Sequence, residues 1–429
     1  MKTNDKTTRI AYVVEAGFEH FISLFVTGTM LGYLLDVMGF SDAMQGIIST
    51  VATFTCGAQL CAIFFSPKKR KRLVTIGHLI NQTCFFLLYL LPVFDVPTEI
   101  KPIVLTVLLF AGHIVNNAIN PTKITWLMTS VPNESRGRFT ATKEMISLAG
   151  GMAVSLGFGA IADTFRDASG VPTKPYYVIC ATAILIMMTI HTFSLLISTD
   201  KTDALPSRAP VKLAIGRIFK NSSLVKVIGV GIIWNIASAL SVSFYASYVR
   251  EELGFSFTVI ALISTIGSVC RILISPILGK IGDKYSFSTS MTLSFCVVAV
   301  AFLAMGFTRP ETKWIYLVYV CLHAFAMAGI NSGVINLIYD YVVPEDRAVA
   351  MGIKNALGGI LGFFTALLSG LVLEKIQTLG GLSLFGTSIY AQQLLALASF
   401  AATVLLIVYM RTVIAPLNKI PKEEGKNNE

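Results

Sequence analysis

Twelve stretches of mostly apolar residues set the terms on which this chain can fold. A helix needs about 20 such residues to cross the ~30 Å hydrocarbon layer of a bilayer. The stretches lie at about 11–36, 43–65, 73–94, 102–128, 141–163, 176–198, 224–248, 256–278, 288–308, 314–340, 349–373 and 388–411. Composition agrees with that reading. Charged residues make up 14% of the 429 and apolar ones 54%, with a mean hydropathy of +0.70. Soluble proteins average about 25% charged residues, and a single soluble domain could not keep so much apolar surface dry. Disorder and collagen-like repeats are excluded on the same grounds. All seven cysteines fall inside the apolar stretches. Their odd number and their spacing fit neither a disulfide framework nor a zinc site. The first stretch holds Glu15 and Glu19 and lacks a small-residue cleavage site, so a removable signal peptide is not expected.

The net charge of +10 would suit a nucleic-acid binder if it were clustered on one soluble face. It is instead distributed by topology. The connections on the side of the two ends carry 24 Lys and Arg, including the run Lys68–Arg72, and the opposite connections carry 7. Basic loops stay in the cytoplasm. The sequence therefore predicts cytoplasmic termini in a multi-pass protein of the cell membrane, with the lipid bilayer as its partner and no nucleic acid.

The two halves repeat each other. Met38-Gly39-Phe40-Ser41 is echoed by Leu253-Gly254-Phe255-Ser256, and Ile48-Ser49-Thr50 by Ile263-Ser264-Thr265, at an offset of 215. Arg136, Lys143, Gly159 and Asp163 are matched at an offset of 211 by Arg347, Lys354, Gly370 and Glu374. Six spans followed by six similar spans in one orientation form a parallel repeat about an axis along the membrane normal. The expected units are a bundle over 1–198, a linker over 199–223, a second bundle over 224–412 and a tail over 413–429.

With this repeat in place the chain resembles the major facilitator superfamily. The loop after the second span of the second half, Gly279-Lys280-Ile281-Gly282-Asp283-Lys284, follows the family form G-x-x-x-D-[RK], with Ser286 where a later Gly is usual. The corresponding first-half loop, from Phe65-Ser66-Pro67, lacks the Asp. The resemblance implies an all-α integral membrane fold of two parallel six-helix bundles. In that fold spans 1, 4, 7 and 10 line a central cavity. It also implies that Asp283 pairs with Arg347 or Lys354 to latch a cytoplasmic gate.

Polar residues in hydrocarbon normally face a cavity or a partner. Glu15, Glu19, Ser23 and Thr27 fall on one stripe of the first span. His113, Asn117 and Asn120 share a face of the fourth, and Trp234, Ser238, Ser241 and Tyr245 a face of the seventh, with Asn235 beside them. The tenth offers His323 and Asn331. His113, Asn117, Asn120, Trp234, Asn235, Tyr245, His323 and Asn331 are thus the expected solute-binding residues. Trp234 could equally be simple packing. At ~1.5 Å per residue, Glu19 lies about 12 Å and Lys123 about 8 Å into the membrane, so the two can pair. The pair reads either as an ion-coupling site or as a fixed bridge between helices. Glu15 is expected near the headgroups, and Arg271 either binds an anion or has a structural role.

No Walker-type phosphate loop, HExxH or GxSxG motif occurs, so neither ATP-driven nor enzymatic chemistry is expected, and no cofactor or metal. The leading expectation is a monomeric secondary transporter. It would take up a small polar solute, such as a sugar or nucleoside, with a proton or another coupling ion. Multidrug efflux by proton antiport is the alternative, and a non-transporting receptor the remote one.

Overall fold

The computed structural model describes the backbone of residues 2–64, 70–94, 97, 99–128, 130–131, 136–168, 170–200, 211–343, 346–379, 382–384 and 387–417. Helices α1 (Lys2–Phe25) and α2 (Gly28–Val37) build the first span. The second is pieced together from α3 (Asp42–Ser49), α4 (Val51–Phe54) and a 3₁₀ run (Thr55–Phe64). Then follow α5 (Arg70–Leu90), α6 (Lys101–Met128), α7 (Arg136–Thr164) and α8 (Lys174–Ile197), and α9 (Val211–Lys220) lies in the linker. The seventh span is α10 (Ser222–Ala239), a 3₁₀ turn (Val242–Phe244) and α11 (Tyr245–Glu251). The remaining five spans are α12 (Phe257–Lys284), α13 (Phe287–Gly306), α14 (Ile315–Tyr339), α15 (Arg347–Thr378) and α16 (Ala391–Tyr409). Between α15 and α16 a short hairpin pairs β1 (Leu382–Leu384) with β2 (Thr387–Ile389), a small departure from the all-helical expectation.

Among the described residues, eleven helices are long and apolar enough to cross a membrane. The twelfth expected span is the one pieced together from short helices, 42–64. Each half has its own core. The first is built around Phe25, Leu34, Tyr89, Tyr176 and Tyr177, and the second around Trp234, Tyr248, Phe295, Phe302 and Tyr319. Many large apolar side chains point outward, among them Ile103, Phe193, Leu273, Leu368 and Leu405, as a lipid-facing surface requires.

The repeated Gly-Phe-Ser has a local cause. Gly39 and Gly254 adopt φ values of +78° and +62°, a region open to glycine without steric cost. Two residues later, Ser41 and Ser256 cap α3 and α12, each accepting from a backbone amide at 3.4 Å. One motif therefore turns the chain and starts a helix twice. The glycines of the second repeat have a tertiary cause. A Cβ on Gly159 would lie 3.2 Å from that of Ala261 on α12, and one on Gly370 would lie 3.2 Å from the Ala43 carbonyl on α3. The fifth span of each half thus packs against the second span of the other, as a twofold-related pair of seams.

Candidate functional site

The first span of each half is broken at the same place. The gap between α1 and α2 maps, at the offset of 215, onto the gap between α10 and α11. Gly28 opens α2 just past the first gap with φ +57°, and Val242 and Ser243 sit in the second. Irregular backbone is tolerated within a membrane only where it is buried in protein or lines a cavity. Here the two gaps border one cavity of about 310 Å³, within the usual size of small-molecule sites. Gly28, Ser49, Thr50 and Thr53 line it from the first half; Asn235, Ser238, Ala239, Val242, Ser243, Ala246 and Gly362 line it from the second. No ionisable side chain is among them. The hydroxyls of Ser49 and Thr50 donate to backbone carbonyls of their own helix. The side chains of Thr53, Asn235 and Ser238 make no hydrogen bond with other described residues, which leaves their polar atoms to a solute.

On the side away from the chain ends, the halves are tied together above this cavity. Arg250, 5% exposed, donates to Asp36 and Gln45 at 2.9 Å each, and its guanidinium lies where a side chain at Gly32 would be. Asp163 accepts from the backbone amides of Phe257 and Thr258, at 3.1 and 2.8 Å, and from the Thr258 hydroxyl. A carboxylate is favoured at a helix N-terminus, where amides are unpaired and the dipole is positive. On the other seam Gln377 donates to Asp42 at 2.9 Å. Burial and the neighbouring Asp42 push the Glu252 carboxyl in this layer above its usual range. Nearer the chain ends, a hydrogen-bonded line crosses from one half to the other. Lys354 donates to Asn355 at 3.2 Å, Asn355 to Gln59 at 3.3 Å, and Gln59 to Asn117 at 3.0 Å.

Of the residues expected to bind solute, Asn235 lines the cavity. Asn117 is held by Gln59 and Thr55. His113 lies inside the first bundle against the Phe85 ring, centroids 5.1 Å apart. Trp234 packs on Phe295 and Phe302, Tyr245 donates to Ser241 and meets Tyr319 edge-on, and His323 sits against Tyr319 and Phe302. These side chains belong to bundle cores because a helical face cannot tell a cavity from a neighbouring helix. Asn120 is half-buried and Asn331 exposed. In the expected gate, Arg347 lies over the Tyr339 ring at 4.6 Å and Lys354 belongs to the line just described. The Asp283 side chain lies outside the described residues.

Glu19 and Lys123 do form an ion pair. Glu15 departs from its expected place near the headgroups. It is 1% exposed, lies 2.8 Å from Lys123 and is covered by two histidines, His78 and His191. Sequence reading missed both this cluster and the small hydroxyl residues of the cavity wall. For the cluster the available signal was that His78 and His191 sit in spans three and six at similar depth from the chain-end side.

The sequence profile of the Major Facilitator Superfamily matches residues 227–428. No curated protein matches the chain by sequence. Among solved structures, it is similar over 94% of its length to a point mutant of the nucleoside transporter NupG, covering 99% of that chain at 14% identity and a TM-score of 0.72. A D-xylose-proton symporter is matched over 94% of this chain and 97% of its own, at 14% identity and 0.69. An auto-inhibited POT family peptide transporter is matched over 97% and 98%, at 13% and 0.68. By sequence in its second half and by fold over nearly its whole length, the chain is similar to the Major Facilitator Superfamily. Its helices are those of a multi-pass membrane protein, and the solved structures whose fold it shares include transporters.

Proposed function

We propose that the protein is a secondary transporter that takes up an uncharged, hydroxyl-rich solute of sugar or nucleoside size by alternating access, with a proton as the coupling ion. It works as a monomer in the cell membrane, its termini in the cytoplasm where the basic loops lie. The observation that carries this reading is the cavity wall. Its polar groups come from Ser, Thr and Asn set among Gly, Ala and Val, with no ionisable side chain, and it lies where the two halves meet. Such a wall hydrogen-bonds neutral hydroxyl and amide groups and offers a lipophilic cation neither an aromatic face nor a carboxylate. The seams at Asp163 and Gln377 close the far side, so a rocking motion that parts them would expose the cavity there. Similarity to a nucleoside transporter and a D-xylose-proton symporter supports the solute class.

Uptake by proteoliposomes, with and without an inward proton gradient, tests the reading. Nucleosides or sugars should accumulate against their gradient. Asn235→Ala should lower the initial rate roughly 2- to 10-fold, the worth of one neutral hydrogen bond. Transport of lipophilic cations alone would sink this assignment.

A further inference from the structure

We infer that Glu15, His78 and His191 form a buried site for a single exchangeable proton within the first bundle. This deepens the proton-coupled reading above and rests on it for its role in transport. The three side chains come from α1, α5 and α8, are 0–1% exposed, and bring their ligand atoms within 4.8 Å of one another. The imidazole rings meet edge to face with centroids 4.8 Å apart. Neither ring nitrogen of His78 or of His191 has a hydrogen-bond partner, although buried polar groups are nearly always paired. Nε2 of His191 stands 3.4 Å from Oε1 of Glu15, close but unbonded.

Charge decides what would complete the site. From α6, Lys123 contacts both Glu15 and Glu19. Tyr12 lies a turn away on α1, and Lys143 of α7 faces the Tyr12 ring rather than the site. Two carboxylates and one ammonium leave one negative charge uncompensated in a bundle core, where an unpaired charge is costly. One proton on Nε2 of His191 gives an imidazolium that donates to Oε1 of Glu15 and brings the cluster to zero. A divalent metal ion would overshoot to +1, with the Lys123 ammonium 2.8 Å from the same carboxylate oxygen. Glu19, a quarter exposed, is the open edge through which the cluster reaches water.

The whole protein, labelled with ¹⁵N-histidine in lipid nanodiscs, gives a direct readout. It has only five histidines, assignable by single His→Gln variants. Across a pH titration the ring nitrogens of His78 and His191 should shift in one shared transition. Glu15→Gln should abolish that shared transition, and His191→Gln should remove it from His78. Rings that stay neutral throughout in the unaltered protein, or two independent transitions, overturn the site. So does stoichiometric zinc binding that perturbs the same resonances. The readout uses no solute or gradient, so it stands or falls separately from the uptake assay.

Discussion

The same place in the two halves is filled in opposite ways. At the repeat offsets, Glu15, Glu19 and Lys123 of the first bundle correspond to Val230, Trp234 and Val334 of the second. The first trio is an ion cluster with two histidines against it. The second is 1–6% exposed and belongs to a continuous apolar core with Phe295 and Phe302. One helical arrangement therefore packs this position without charge, and the ions of the first half are not needed to build the fold. Replacing a buried ion group by fitting hydrophobes is often neutral or stabilising, whereas removing one partner is not. The contrast points to retention for function.

Several substitutions can break or sharpen that contrast. Lys123→Val alone strands two carboxylates, and thermal unfolding of the purified protein should show a loss of about 3–5 kcal/mol. Copying the whole second-half trio, as Glu15→Val, Glu19→Trp and Lys123→Val, should bring stability back to within about 2 kcal/mol of the starting protein. Uptake in that variant should no longer respond to pH. If the triple variant is as unstable as the single one, the ions are structural and the comparison fails.

The seams sharpen the comparison at smaller scale. Asp163 holds α12 by three bonds to one carboxylate, while Gln377 gives Asp42 a single bond that water can compete for. Asp163→Ala should therefore free the far side by about 1.5–3 kcal/mol and Gln377→Ala by about 0.5–1.5. A cysteine at Ser243→Cys, in an otherwise cysteine-free protein, should then react with a bulky impermeant thiol reagent roughly tenfold faster in the first variant. The second should give a rise of only a few-fold. Equal rates would show that the seams are equivalent after all.

The smallest effect belongs to the linker. Arg217 of α9 binds both oxygens of Asp346, at 2.7 and 2.5 Å, and holds that carboxyl below the usual carboxylate range. A lowered carboxyl stabilises above its unfolded value, near pH 4, and the contact is lost as pH falls through the lower folded value. Proteolysis of the linker should accelerate only at that acid end. Arg217→Ala should make it fast at neutral pH too, with little change in global stability because Arg217 is half exposed.

Much of this was legible in the residues themselves. Apolar length marked the eleven described helices that can cross a membrane, and the Gly-Phe-Ser echo marked the duplication. Gly159 and Gly370 stood out by spacing alone, and the structure supplies their reason in the crossed seams. Other features depend on neighbours that no local pattern announces. The second span is broken beside α15, which lies so close that a Cβ on Gly359 would be 2.0 Å from the Thr53 carbonyl. Glu15 was misplaced because α1 begins at Lys2, nine residues before the apolar stretch, and because α5, α6 and α8 cover it. The cavity wall uses Ser and Thr, which occur throughout the spans as intrahelical donors, so their type alone did not mark it.

The 3₁₀ run at Thr55–Phe64 is a store of length. Ten residues rising about 2.0 Å each reach some 5 Å further than the same residues wound as an α-helix at about 1.5 Å. Its counterpart stretch in α12 is fully wound. Tightening this one segment would draw the second span past its partner by nearly a full α-helical turn, with no hinge at either end.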